Sequence, residues 1–148
     1  MKDNLTLFTK YLLDFMFYSG FVVILTLPVT IRFYGKFDPF FAENFYSLWI
    51  VFLLAGVFAV LIIRELRKIF RSVLKDDCFI RENVISLDRM SLYSFMIAIV
   101  MVCRLFIYTT VAVLVVILVF VIAGLFSKVL ARVFDRAVTY KLENDLTI

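Results

Sequence analysis

The chain contains no histidine and, in 148 residues, only two cysteines, two prolines, four glycines and one tryptophan. Without imidazoles or clustered thiols, the usual ligands of transition-metal centres and the commonest acid–base group are missing. Cys78 lies in a charged stretch and Cys103 in an apolar run, so no disulfide is expected. No phosphate-cradling glycine loop, nucleophile motif or metal-ligand spacing is present. Glu82 and Asp88 share one charged stretch and read as a solvated helix face. The expectation is a non-enzymatic protein with no catalytic residue, no cofactor and no metal.

Charge is confined to a few blocks. Hydrophobic residues make up 64% of the chain and aromatics 18%, against about 45–50% apolar in ordinary soluble domains. A soluble fold would expose much of that surface to water, whereas a bilayer removes the problem. The length allows a single domain over 1–148, too small for a membrane bundle plus a separate soluble enzyme.

A membrane-crossing helix needs roughly 20 apolar residues. The first such run covers about 11–31, between Lys10 and Arg32, with Asp14 its one charge. Asp14 and the lack of small cleavage-site residues argue against a signal peptide, so this segment is expected to stay as a span. The second run covers about 44–63. The last apolar stretch, Met90 to Ser127, has about 38 residues and would measure roughly 57 Å as one helix. That is nearly twice the hydrocarbon thickness of about 30 Å, so it reads as a hairpin of spans at about 90–107 and 110–127. The turn is expected within Arg104–Thr110, where Arg104, Tyr108, Thr109 and Thr110 supply polar groups.

Positive charge sets the orientation. Arg64, Arg67, Lys68, Arg71, Lys75, Arg81 and Arg89 fill segment 64–89, and Lys128, Arg132, Arg136 and Lys141 mark the tail 128–148. Four spans put both basic segments and the N-terminus on the cytoplasmic side. The opposite connection, Arg32–Phe45, is rich in aromatics and reads as an interfacial belt, with Pro28 expected to bend the exit of the first helix. Gly20, Gly56 and Gly124, each with small neighbours, offer places where helices approach closely. Asp14 and Arg104 lie at opposite membrane boundaries and make no obvious proton relay; Arg104 is placed to snorkel to the headgroups.

The two basic segments are patterned. Leu66, Ile69, Phe70, Val73 and Leu74 recur at helical spacing among basic residues, and Val129, Leu130, Val133, Phe134, Ala137, Val138 and Leu142 do the same in the tail. The fold class expected is therefore an all-α integral membrane protein: four transmembrane helices with cytoplasmic amphipathic extensions of helices 2 and 4. Anionic lipid is the simplest partner of such surfaces. Direct nucleic-acid binding is not expected, because no recognition motif accompanies the charge; a homo-oligomer is compatible with the pattern.

The element Phe79-Ile80-Arg81-Glu82-Asn83-Val84, together with the ending Glu143-Asn144-Asp145-Leu146-Thr147-Ile148, resembles the domain-of-unknown-function 2975 family of small four-span bacterial membrane proteins. That family carries a Phe-x-x-Glu-Asn-like element before the third span and a Leu-Thr-Ile or Leu-Thr-Val end; the outer turn here is short for it. The family's members are often encoded beside a very small helix-turn-helix regulator. The resemblance thus implies a bacterial inner-membrane protein, both termini cytoplasmic, that modulates or sequesters a cytosolic transcription regulator. It makes Phe79, Glu82, Asn83, Glu143, Asn144, Asp145, Leu146, Thr147 and Ile148 the candidate partner-binding residues. The competing reading, a small oligomeric transporter or channel, calls for polar groups at mid-bilayer depth, and the spans show few.

Overall fold

The computed structural model describes residues 4–107 and 109–147, with the side chain of Thr147 outside the description. Helices α1 (Asn4–Gly35), α2 (Pro39–Glu43), α3 (Phe45–Leu74), α4 (Arg81–Leu105) and α5 (Val111–Thr147) follow one another along the chain. All but α2 are long and apolar enough to cross a membrane. The chain is thus all-helical among the described residues, with four candidate membrane-crossing helices. The α4–α5 turn falls inside the expected window, although Tyr108 lies outside the described residues.

Long apolar helices form here because each satisfies its own backbone where lipid cannot. Their few hydroxyls do the same. Thr26 donates to the carbonyls of Val22 and Val23 at 2.9 and 3.1 Å, and Thr30 donates to Thr26 at 3.0 Å. Pro28 does not end α1, which runs on to Gly35. The expected loop from Arg32 to Phe45 is correspondingly shorter and contains α2. Asp38 caps that helix by accepting from the Phe40 N–H at 3.0 Å, and Pro39 takes the first position, where a missing N–H costs nothing.

The α3–α4 connection is equally determined. Asp76 adopts φ 58°, the left-handed conformation that ends helices. The Asp77 N–H then reaches the Ser72 carbonyl at 3.1 Å and the Asp76 N–H reaches Val73 at 3.0 Å, the paired bonds of a Schellman cap.

Successive long helices run antiparallel. The start of α1, the end of α3, the start of α4 and the end of α5 therefore share one end of the molecule, here the terminal end; α2 and the α4–α5 turn share the far end. Among the described residues, α1 packs on α3, α3 on α4 and α4 on α5, and no other pair of long helices meets at backbone distance. The seams are close where glycines stand. A Cβ on Gly20 would lie 2.8 Å from Val60, one on Gly56 3.1 Å from Ile24, and one on Gly124 2.9 Å from the Phe95 ring. Ser91 adds a buried bond to the Gly124 carbonyl at 2.8 Å. Near the terminal end Ile69, Leu87, Met90 and Ala131 form a core cluster that joins three helices.

Arg104 does not reach outward as expected. It is only 9% exposed, its guanidinium lies over the Phe52 ring at 5.3 Å, and its Nε has no partner among the described residues. The planar cation has found an aromatic face inside the packing, an alternative to the headgroups.

Candidate functional site

The connection between α3 and α4 is closed from within. Ser72 is buried on the last turn of α3 and donates to the Ile69 carbonyl at 2.6 Å. Asn83, 2% exposed, donates from its amide nitrogen to the Ser72 hydroxyl and to the Cys78 carbonyl, each at 2.6 Å. Among the candidate partner-binding residues whose side chains are described, Asn83 is the buried one. Through the Cys78 carbonyl it ties the residue before Phe79 to the end of α3.

Phe79 is 43% exposed and its ring meets Phe134 of α5 edge-on, with centroids 5.2 Å apart. Glu82 is exposed beside it. The end of α5 is fastened across this connection by ion pairs. Arg81 donates to Asp135, Lys128 to Asp88 at 2.9 Å, and Lys141 to Asp77 at 2.6 Å. The hydrogen bond to Asp77 holds the Lys141 ammonium above the ordinary lysine range; partial desolvation opposes this, and the charges of Asp77 and Asp145 reinforce it.

Glu143, Asn144, Asp145 and Leu146 occupy the last turns of α5 and are all exposed, Leu146 by 86%. The Thr147 side chain and Ile148 lie outside the described residues. The structure thus brings Phe79 against α5 at Phe134, and sets Glu143 and Asp145 immediately beyond the Lys141–Asp77 pair.

Glu65 is a residue that sequence reasoning passed over. It sits on α3 among a run of basic residues, yet it is 1% exposed. Its Oε1 lies 3.5 Å from Lys68 Nζ and 3.8 Å from an Arg89 guanidinium nitrogen, and its Oε2 has no partner among the described residues. The signal was available. Leu48, Val51, Ala55, Glu65, Ile69 and Ser72 fall on the buried stripe of α3, and Glu65 is its one charged member.

Among the described residues no group of acidic or cysteine side chains could hold a metal ion. A cavity of about 280 Å³ lies among α1, α3, α4 and α5, bounded by Leu27, Phe52, Ala59, Ile97, Met101 and Phe120 among others. Its walls are apolar and offer no chemistry beyond packing.

No curated protein and no solved structure matches the chain. A family pattern does, described as a protein of unknown function, DUF2975, and it matches residues 10–148, nearly the whole length. With a match over nearly its whole length, the chain belongs to the DUF2975 family.

Proposed function

We propose that this protein is a non-enzymatic, multi-pass inner-membrane protein whose terminal end faces the cytoplasm and holds a small cytosolic helix-turn-helix regulator. The orientation follows from charge: the basic residues concentrate at the terminal end, as the positive-inside rule requires of a cytoplasmic face. In this reading α3 beyond Ile63 and α5 beyond Ser127 are amphipathic extensions into the cytoplasm. The observation that carries the reading is the fastening of α5 over the α3–α4 connection, with Phe79, Glu82 and Glu143–Leu146 all exposed at this end of the molecule. An exposed aromatic beside exposed carboxylates suits a small basic DNA-binding protein, and holding its basic surface would compete with DNA.

Crosslinked co-purification from the native host tests this, comparing the full chain with one ending at Asp145 and with Phe79→Ala. Capture of a helix-turn-helix protein by the full chain, and weaker capture by both variants at equal membrane insertion, is the expected result. Equal capture by all three, or capture of no DNA-binding protein, overturns it. Transport is the weaker reading, because the cavity among the helices lacks the polar lining that a solute or coupling ion needs.

A further inference from the structure

We infer that the seam between α1 and α3 carries a specific site for one anionic phospholipid at the terminal end. A groove of about 340 Å³ runs along this seam, walled by Phe17, Phe21 and Ile24 from α1 and by Val57 and Leu61 from α3, with Arg64 at its mouth. The two walls are ridges at matching helical spacing on antiparallel helices. The close approach of Gly20 to Val60 sets how near they stand.

The groove has a direction. Its apolar end lies at Ile24 and Val57, toward mid-membrane, and its charged end lies at Arg64, toward the boundary. Seven residues of α3 separate Val57 from Arg64, about 10 Å of rise, which is roughly two-thirds of one leaflet's hydrocarbon depth. An acyl chain in the groove therefore brings its phosphate to the level of the Arg64 guanidinium. The groove opens outward, since Phe21 and Val57 are 47% and 41% exposed.

Charge selects the headgroup. Arg64 is exposed and makes no hydrogen bond or ion pair among the described residues. Near the mouth the carboxylate of α1 is already matched: Asp14 accepts from Arg67 at 2.7 Å and lies 3.9 Å from Lys10. Arg67 is further held over the Phe17 ring at 4.4 Å, so its charge is already engaged. Among the described residues that line the groove, Arg64 is the cation left unmatched, and an anionic phosphate is what it lacks. A zwitterionic lipid would fill the groove and bring an ammonium to a cationic rim.

The test is native mass spectrometry of the purified full chain in detergent, titrated with dioleoylphosphatidylglycerol or dioleoylphosphatidylcholine. One equivalent of phosphatidylglycerol is expected to be retained about fivefold more strongly than phosphatidylcholine, the effect of one basic side chain at an anionic surface. Arg64→Gln should bring the two lipids to parity. Val57→Phe, which fills the groove without touching the cation, should weaken both. Arg132→Gln on α5 should change neither. Equal retention of the two lipids by the wild type, or an unchanged preference in Arg64→Gln, overturns the site. Equal loss in Arg132→Gln overturns it as well, since the attraction would then be diffuse. Displacement of the bound lipid by inorganic phosphate would show that the acyl groove contributes nothing, and would also overturn it.

Discussion

Asn83 of α4 and Ser72 of α3 are joined at 2.6 Å in a place that neither water nor lipid reaches, and the same amide also holds the Cys78 carbonyl. Removing the amide leaves a buried hydroxyl and a carbonyl without their donor. Asn83→Ala is expected to cost about 1–3 kcal/mol, read as a lower unfolding midpoint in detergent. Cys78 should also become more reactive to a thiol reagent as the connection loosens. An unchanged midpoint and unchanged labelling would show that the amide holds nothing.

Gly124 faces the Phe95 ring so closely that an added Cβ would lie 2.9 Å from it. Gly124→Val should therefore destabilise the α4–α5 seam by about 1–3 kcal/mol, the range for overpacking. Phe95→Ala in the same chain should recover part of the loss. If the double variant is no more stable than Gly124→Val, the ring is not what the glycine accommodates.

Glu65 illustrates what was legible in the sequence and what was not. The four apolar helices, the hairpin turn beyond Arg104 and the close approaches at Gly20, Gly56 and Gly124 follow from run length and from small residues at helical spacing. Which way a particular charged side chain points does not follow so directly. Glu65 lies in a basic stretch that reads as solvated, and only its place on the α3 stripe sends it inward. Arg104 is similar: proximity to a turn suggests headgroups, but Phe52 of another helix decides its direction. Asn83 belongs to the motif that carries the family resemblance, and the partner of its amide, Ser72, lies on the preceding helix.

Replacing Glu65 by an apolar residue should raise stability. Its Oε2 is buried without a partner and the cations near Oε1 are 3.5 and 3.8 Å away, so its desolvation is poorly offset. Glu65→Leu is expected to gain about 1 kcal/mol or more, measured by the unfolding midpoint in detergent. A loss of stability would mean that the carboxylate is better matched than these distances allow.

The ion pairs that fasten the end of α5 are half exposed, so each contributes little by itself and weakens with salt. A spin label at Glu143 should become more mobile as salt rises to about 1 M, where screening length falls to about 3 Å, while a label at Val119 should not. Equal responses at both positions would exclude an electrostatic fastening.

Lys141 is held above the ordinary lysine value by its hydrogen bond to Asp77. Because the folded pKa is raised, its contribution to holding α5 is fully present below the unfolded value of about 10.4 and is lost as pH rises through the folded one. Lysine side-chain NMR should place Lys141 above the ordinary lysine value, and Asp77→Asn should bring it down. Identical titration in both chains would remove the pair from the account.

The row α1–α3–α4–α5 has a consequence in time. Each backbone interface joins two spans that are consecutive in the chain, so each helix finds its neighbour as soon as the next one has entered the bilayer. Among the described residues no backbone interface of an early helix waits for a late one, and only the side-chain cluster that joins Ile69 of α3 to Ala131 needs α5 to close. Such a chain can be completed one hairpin at a time at the pace of its own synthesis, with little opportunity for a wrong pairing along the way.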